Sequence, residues 1–270
     1  MISGYTSSND AMAEPDSQDT AGARPEPGRA YSPDDPYGVK GEWIRHDLLD
    51  MVPQQQPRRA LSIGCGTAAT ESILQRQGTE VWGLDVSTDA VALARTRISH
   101  ADTADIEVDP LPELRPGHFD LVLCGDVLEH LRFPEHVLDR IHGWLADDGH
   151  LVIAVPNATH HSVVRTLVLR RDWKYEDGGL FDRGHYRLFT RKSLLRLLGE
   201  HGFQVEQVSS TRPLSGKVRL FHLLLRPLFW LIPSLDEYLV YTWIVRVRKV
   251  PGPDATRAIG ARTESNTGPR

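Results

Sequence analysis

The sequence predicts an α/β fold built on a doubly wound, mostly parallel sheet with a C-terminal antiparallel strand pair. Through the middle of the chain, short apolar runs alternate with amphipathic stretches, a pattern typical of βαβ units. The first apolar run leads into a pair of glycines that precede a helical stretch. The last two apolar runs lack the earlier crossover rhythm, which favours antiparallel pairing at the edge of the sheet.

Each element follows from its local pattern. The predicted strands are Ala60–Ile63, Val81–Leu84, a weak one at Asp105–Val108, Phe119–Cys124, His150–Val155, Phe203–Val208 and Tyr241–Val250. The predicted helices are Ala69–Gln77, Thr88–Ser99, Pro134–Leu145 and Ser193–His201. Gly78 and Gly202 follow two of these helices, because glycine readily adopts the left-handed conformation that ends a helix.

The composition indicates one globular domain over residues 36–250, with inserts at 157–189 and 211–240. The tails, 1–35 and 251–270, are poor in large apolar residues and are expected to be disordered. The formal net charge of −5 resides in residues 1–38, so the remainder of the chain is neutral overall and no nucleic-acid partner is predicted. Two cysteines do not make a disulfide framework, and no signal peptide or membrane-spanning run is visible, so a cytoplasmic protein is expected.

The clearest local motif is LSIGCGTAA, residues 61–69. Gly64 permits a tight turn and Gly66 lets the backbone approach a ligand closely. Asp85 ends the next strand, where a carboxylate can accept both hydroxyls of a ribose or simply cap the following helix. Because Gly64, Gly66 and Ala69 also satisfy the Rossmann-like dinucleotide fingerprint, an NAD(P)-dependent oxidoreductase and a non-catalytic adenosine-binding protein remain alternatives.

Further motifs, taken together with the glycine loop, favour a cofactor other than NAD(P). GCGTAA with Asp85, FDLVLCGDVLEHL (119–131) and LADDGHLVIAVPN (145–157) together resemble class I methyltransferases that use S-adenosylmethionine (SAM). The resemblance covers about residues 40–210 and is greatest to the branch containing the quinone-biosynthesis and small-molecule O-methyltransferases. It implies SAM as the cofactor and a small-molecule acceptor, with a hydroxyl favoured over an amine or carbon acceptor.

The resemblance also implies roles for individual positions. The residues expected at the cofactor are Gly64, Cys65 and Gly66 at the methionine end, Asp85 at the ribose, Val86, Asp105 and Ile106 at the adenine, and Asp126 and Val127 between cofactor and acceptor. Two positions depart from the family pattern. Ser62 replaces a frequent acidic residue, which puts a contact to the ammonium of SAM in doubt, and Ala68 replaces a third glycine.

Two histidines are candidate bases for a hydroxyl acceptor. His130 lies four residues after Asp126, so the two could share one face of a short turn. The competing and favoured interpretation is a buried His130 that fixes this turn by hydrogen bonding. His185 lies in FDRGHYRLFT, within the 157–189 insert that would roof the acceptor pocket or merely anchor a loop. His160 and His161 are expected at the surface. No His/Cys spacing typical of a metal site appears, so no metal is predicted.

Two flanking segments leave alternatives open. Residues 43–48, which include Arg45, predict a helix that either covers the cofactor or packs with its apolar side chains inward. Residues 218–232 are apolar but too short and too interrupted to span a bilayer. With the basic residues around them they could lie on an anionic membrane surface, or pack on the sheet or on a second subunit. The oligomeric state is not readable from the sequence.

Overall fold

The computed structural model describes residues 44–211 and 233–250, which form a seven-stranded sheet. Its strands are β1 (Arg59–Ile63), β2 (Glu80–Asp85), β3 (His100–Thr103), β4 (Phe119–Gly125), β5 (Leu145–Pro156), β6 (Phe203–Thr211) and β7 (Thr242–Lys249). Their order across the sheet is β3-β2-β1-β4-β5-β7-β6. Strands β1 to β5 are parallel, and β7 runs antiparallel to both β5 and β6. The predicted α/β class and the C-terminal antiparallel pair are confirmed.

The helices predicted within the described residues are present with altered bounds, and one short helix that was not predicted lies in the 157–189 insert. The helices are α1 (His46–Leu49), α2 (Glu71–Arg76), α3 (Thr88–Ala94), α4 (Pro134–Trp144), α5 (His161–Arg165) and α6 (Arg191–Glu200). Side-chain caps explain two of the starts. Ser87 accepts a hydrogen bond from the Ala90 amide at α3, and Thr190 forms a capping box with Ser193 at α6.

Alternating side chains of the strands bury two apolar cores, one on each face of the sheet. On one face Val122 of β4 packs in the same core as Ile141 of α4. On the other face its neighbour Leu121 packs in the same core as Leu48 of α1 and Val91 of α3. Helices on both faces make the sheet doubly wound, so the loops after the parallel strands converge at one edge, where such folds bind ligands.

The strand predicted at Asp105–Val108 is wrong. The strand that pairs with β2 is His100–Thr103, and residues 106–108 form a turn. Only Ala101 of β3 is buried, so this edge strand lacks the apolar pattern by which strands are recognised. Val108, whose apolar side chain favoured the strand, is 74 % exposed, and the Asp105 carboxylate accepts the Glu107 amide to form the turn.

The 157–189 insert is largely irregular. It contains α5, a π-helical turn at Thr166–Arg170 and a 3-10 turn at Gly179–Phe181. The expectation that His160 lies at the surface is wrong, since its ring packs against Tyr241 and is buried. Of the 211–240 insert, Pro233–Leu239 is a 3-10 helix.

Other expectations lie outside the described residues. They concern the tails 1–35 and 251–270, the apolar helix at 218–232 and its membrane contact. Among the residues that the structure describes, none of the helices has the length and apolar character needed to cross a bilayer.

Candidate functional site

The glycine loop between β1 and α2 lies at the carboxyl edge of the sheet. Gly64 and Gly66 have φ angles of +70° and +52°, in the left-handed region that favours glycine. A Cβ added to Gly64 would lie 2.5 Å from Cγ2 of Val127, so the loop after β4 leaves no room for a side chain there. This close approach forms a backbone cradle of the kind that an adenosine cofactor needs.

Replacing Gly64 with alanine is expected to destabilise the protein. A left-handed alanine costs about 1–2 kcal/mol, and the contact with Val127 adds to that cost. Because 1 kcal/mol shifts the melting temperature of a domain this size by about 2–4 °C, calorimetry should show a drop of at least that size. The matched control is Gly199→Ala, an exposed helical position of α6 with open space around it, which should melt no lower than the wild type. A Gly64→Ala variant as stable as this control would contradict the described loop.

Asp85 joins the end of β2 to the glycine loop. One carboxylate oxygen accepts the Gly66 amide at 2.7 Å and the other accepts the Ser87 amide at 2.9 Å. Ser87, and not Asp85, caps helix α3, so the capping alternative for Asp85 is wrong. Val86 beside it is 59 % exposed, an apolar side chain left uncovered at the sheet edge.

The other residues expected at the cofactor differ in whether their side chains are buried or exposed. Cys65 is buried with its sulfur beside Gly83, so only its backbone can line the loop, and burial raises the pKa of its thiol. Ile106 packs in the core on the α4 face of the sheet. Asp105 remains exposed at the carboxyl end of β3. The side chain of Asp105 is therefore accessible to a ligand at this edge, whereas those of Cys65 and Ile106 are not.

The turn after β4 carries a strained acidic residue. Asp126 has φ +56°, a conformation that costs free energy in a non-glycine residue and is concentrated at functional sites. Its carboxylate forms an ion pair with Arg45, which also pairs with Asp47 at 2.9 Å. Burial disfavours the charged guanidinium, but the two carboxylates outweigh it and hold the pKa of Arg45 above its ordinary value. The sequence indicates only a helix around Arg45, because nothing in the spacing of Arg45 links it to residue 126.

The 157–189 insert docks on this same turn. His130 contributes Nδ1 to a hydrogen bond with the Gly184 carbonyl oxygen at 3.1 Å. The amides of Tyr186 and Arg187 donate to the Glu129 carbonyl oxygen. The His130 and His185 rings thereby meet edge to face, with centroids 4.8 Å apart. The two histidines singled out from sequence thus lie side by side at the carboxyl end of β4.

Glu129 forms a cluster with His130 and His185. It is 1 % exposed, and its two carboxylate oxygens have no hydrogen-bond partner among the described residues. Burial raises the pKa of its carboxyl group, and the charge of Asp126 raises it further. An unpaired buried carboxylate is costly, so the site favours a ligand that donates a hydrogen bond or carries positive charge.

The cluster also offers metal-ligating atoms. Glu129, His130 and His185 each present one such atom, all within 4.8 Å of one another. They come from two segments more than fifty positions apart. Their spacing therefore matches no metal-ligand motif, so the sequence alone does not predict this cluster.

The surroundings of His185 lower its pKa and so favour the neutral ring. Burial lowers its pKa, and the neighbouring His130 lowers it further, while Asp182 and Asp126 oppose the shift. Its pKa lies below the ordinary value of about 6.5, so the neutral ring dominates near pH 7. A neutral imidazole at His185 is able to accept a proton from a bound ligand.

Comparisons with known proteins agree with this geometry. A model of the methyltransferase domain family matches residues 40–208. Curated relatives include ubiquinone biosynthesis O-methyltransferases from Paracidovorax citrulli, 33 % identical over 35 % of this chain and 42 % of theirs, and Acinetobacter baylyi, 23 % identical over 68 % and 76 %. The chain spans about half the length of the first curated relatives it matches.

Solved structures show the same fold. A SAM-dependent methyltransferase from Mesorhizobium loti aligns with TM-score 0.54 and 24 % identity over 78 % of this chain and 100 % of that one. Another, from Archaeoglobus fulgidus, aligns with TM-score 0.51 and 19 % identity over 71 % and 86 %. The family match removes the oxidoreductase alternative that the glycine fingerprint had left open, and the chain belongs to the methyltransferase domain family.

Proposed function

We propose that the protein transfers the methyl group of SAM to a hydroxyl of a small-molecule acceptor. The observation that carries this proposal is the contact between the His130 and His185 rings beside Asp126, at the carboxyl end of β4, where burial lowers the pKa of His185. An amine that reacts as its free base needs no such base, whereas a hydroxyl must lose its proton. The curated relatives named O-methyltransferases support the same class of acceptor.

The cofactor would lie along the carboxyl edge of β1, β2 and β4. The loop of Gly64, Cys65 and Gly66 would approach its methionine end through backbone atoms alone. Asp85 would accept the ribose hydroxyls, with Val86 covering one face of the adenine and Asp105 at its edge. Asp126 and Val127 would separate the cofactor from the acceptor, and SAM would supply a sulfonium-bound methyl group.

The chain's own contribution is alignment and removal of one proton. With Nδ1 of His130 donating to Gly184, its Nε2 carries the lone pair and can accept the hydroxyl proton. The acceptor oxygen forms a bond to the methyl carbon as the carbon–sulfur bond breaks, which leaves a neutral thioether. Holding the nucleophile in line behind the methyl group supplies much of the rate.

A paired set of acceptors tests the proposal. A phenolic or sugar hydroxyl compound is incubated with SAM and the protein, beside the same compound already O-methylated and beside its amino counterpart. The hydroxyl compound should gain one methyl group by mass spectrometry, and the blocked compound should gain none. Methylation of the amine in preference to the hydroxyl would overturn the proposal.

A further inference from the structure

A buried carboxylate lies behind the glycine loop, at a position that the family motifs do not include. Glu71 is the first residue of α2 and is 6 % exposed. The Ser62 hydroxyl, on β1, donates a hydrogen bond to its Oε1 at 2.7 Å. Ser62 is the position at which the resembling methyltransferases often carry an acid. A carboxylate is therefore present behind this strand, but it comes from the following helix.

The surroundings of Glu71 place it beside the glycine loop, where the proposed cofactor site has its methionine end. Its carboxylate interacts electrostatically with Asp85 of the cofactor edge and with Arg45 of the N-terminal segment. It also raises the pKa of Cys65, in the middle of the glycine loop. The Arg45 amide donates to the hydroxyl of Thr70, the residue before Glu71. Glu71 thus lies where the glycine loop, β1 and the segment before α1 meet.

Its charge is poorly balanced by the protein. Burial raises the pKa of Glu71. The hydrogen bonds from Ser62 and from the Glu71 backbone amide, together with the charge of Arg45, offset only part of that rise. Arg45, the cation that faces it, is already paired with Asp47 and Asp126. Among the described residues no cation forms an ion pair with Glu71. A positively charged group bound beside the loop would therefore stabilise the carboxylate.

We infer that Glu71 receives the α-ammonium group of SAM, in place of the acid that β1 lacks at Ser62. Ser62 acts as a positioning residue, since its hydroxyl orients the carboxylate. The inference depends on SAM as the cofactor but not on the chemistry of the acceptor. A failure here would leave the proposed hydroxyl methylation untouched, because the test measures binding alone.

The test compares two ligands by titration calorimetry. One is S-adenosylhomocysteine, the demethylated cofactor, and the other is the same molecule with the amino group replaced by hydrogen. Wild-type protein should bind the deaminated ligand about 10–100-fold more weakly, the loss expected for a hydrogen bond to a charged group. In Glu71→Gln that ratio should fall close to one, through weaker binding of S-adenosylhomocysteine alone.

Two variants sharpen the comparison. S62D/E71Q returns the acid to β1 and should restore part of the discrimination between the ligands. Glu113→Gln removes an exposed carboxylate elsewhere and should keep the wild-type ratio. The inference is overturned if Glu71→Gln, folded by circular dichroism, still discriminates between the two ligands as strongly as the wild type.

A second measurement needs no variant. Because Glu71 must be ionised to attract the ammonium, wild-type affinity for S-adenosylhomocysteine should weaken as the pH falls through the raised pKa of Glu71. Of the groups that face it, Arg45 and Cys65 keep their protons over this range, and Asp85 would affect both ligands alike. The ratio of the two affinities should therefore decline on acidification. A constant ratio would argue against Glu71.

Discussion

Replacing His130 with alanine is expected to lower turnover by about 10²–10⁴-fold, the usual contribution of a general base. The expectation rests on its orientation, with Nδ1 held by the Gly184 carbonyl oxygen and Nε2 left to accept a proton. Affinity for SAM should stay near the wild-type value, since the His130 ring contacts the 157–189 insert through Gly184 and His185. Initial rates with saturating SAM, together with calorimetry, separate these two effects.

The controls distinguish a base from a loop anchor. His136→Ala removes an exposed histidine of α4 and should leave turnover unchanged. His185→Ala should lower turnover by a similar factor if the two rings share the proton, but should mainly raise the KM for the acceptor if His185 only holds the insert. If His130→Ala and His185→Ala each retain nearly full turnover at neutral pH, proximity alone accounts for catalysis and the base assignment fails.

Replacing Asp85 with alanine is expected to weaken SAM binding by at least about tenfold. A hydrogen bond to a charged group contributes roughly 1.5–3 kcal/mol, and each 1.4 kcal/mol is a factor of ten in affinity. The carboxylate also holds the Gly66 amide, so the variant loses an anchor of the glycine loop together with the proposed ribose contact. Titration calorimetry gives the dissociation constant directly.

A neighbouring aspartate supplies the matched control. Asp102 lies on β3, is exposed and pairs only weakly with Arg95 at 3.4 Å, so Asp102→Ala removes the same charge away from the proposed ribose site. Its SAM affinity should match the wild type. A folded Asp85→Ala protein that binds SAM as tightly as Asp102→Ala would refute the placement of the ribose.

The parts of the fold that sequence predicts are those with a strong local pattern. The βαβ rhythm and the glycine loop depend on residues close together in the chain, such as Ile63, Gly64 and Gly66. Strand β3 was not predicted, because this exposed edge strand buries only Ala101 and so has no apolar periodicity. The apolar side chain of Val108 favoured a strand that does not form there. Val108 is exposed in the structure, and a single exposed apolar residue costs little free energy.

Only part of the candidate site could be predicted from the sequence, for a related reason. Its cofactor edge follows from motifs within β1 and β2, whereas its acceptor side is assembled by contacts between distant segments. The pairing of Arg45 with Asp126 spans 81 positions, and that of His130 with Gly184 spans 54. No sequence pattern singled out Glu129, because its candidate role depends on the burial of its carboxylate without a hydrogen-bond partner. Such features depend on tertiary packing and not on spacing.

We propose that this site moves the methyl group of SAM to a hydroxyl oxygen. The most direct measurement uses SAM with a trideuterated methyl group, mixed with the protein and a small-molecule extract of the source cells. Tandem mass spectrometry should find the intact trideuteromethyl group on the oxygen of one small molecule, at a level strongly reduced with His130→Ala. A label found on nitrogen or carbon, or one that His130→Ala transfers as fast as the wild type, would contradict the account.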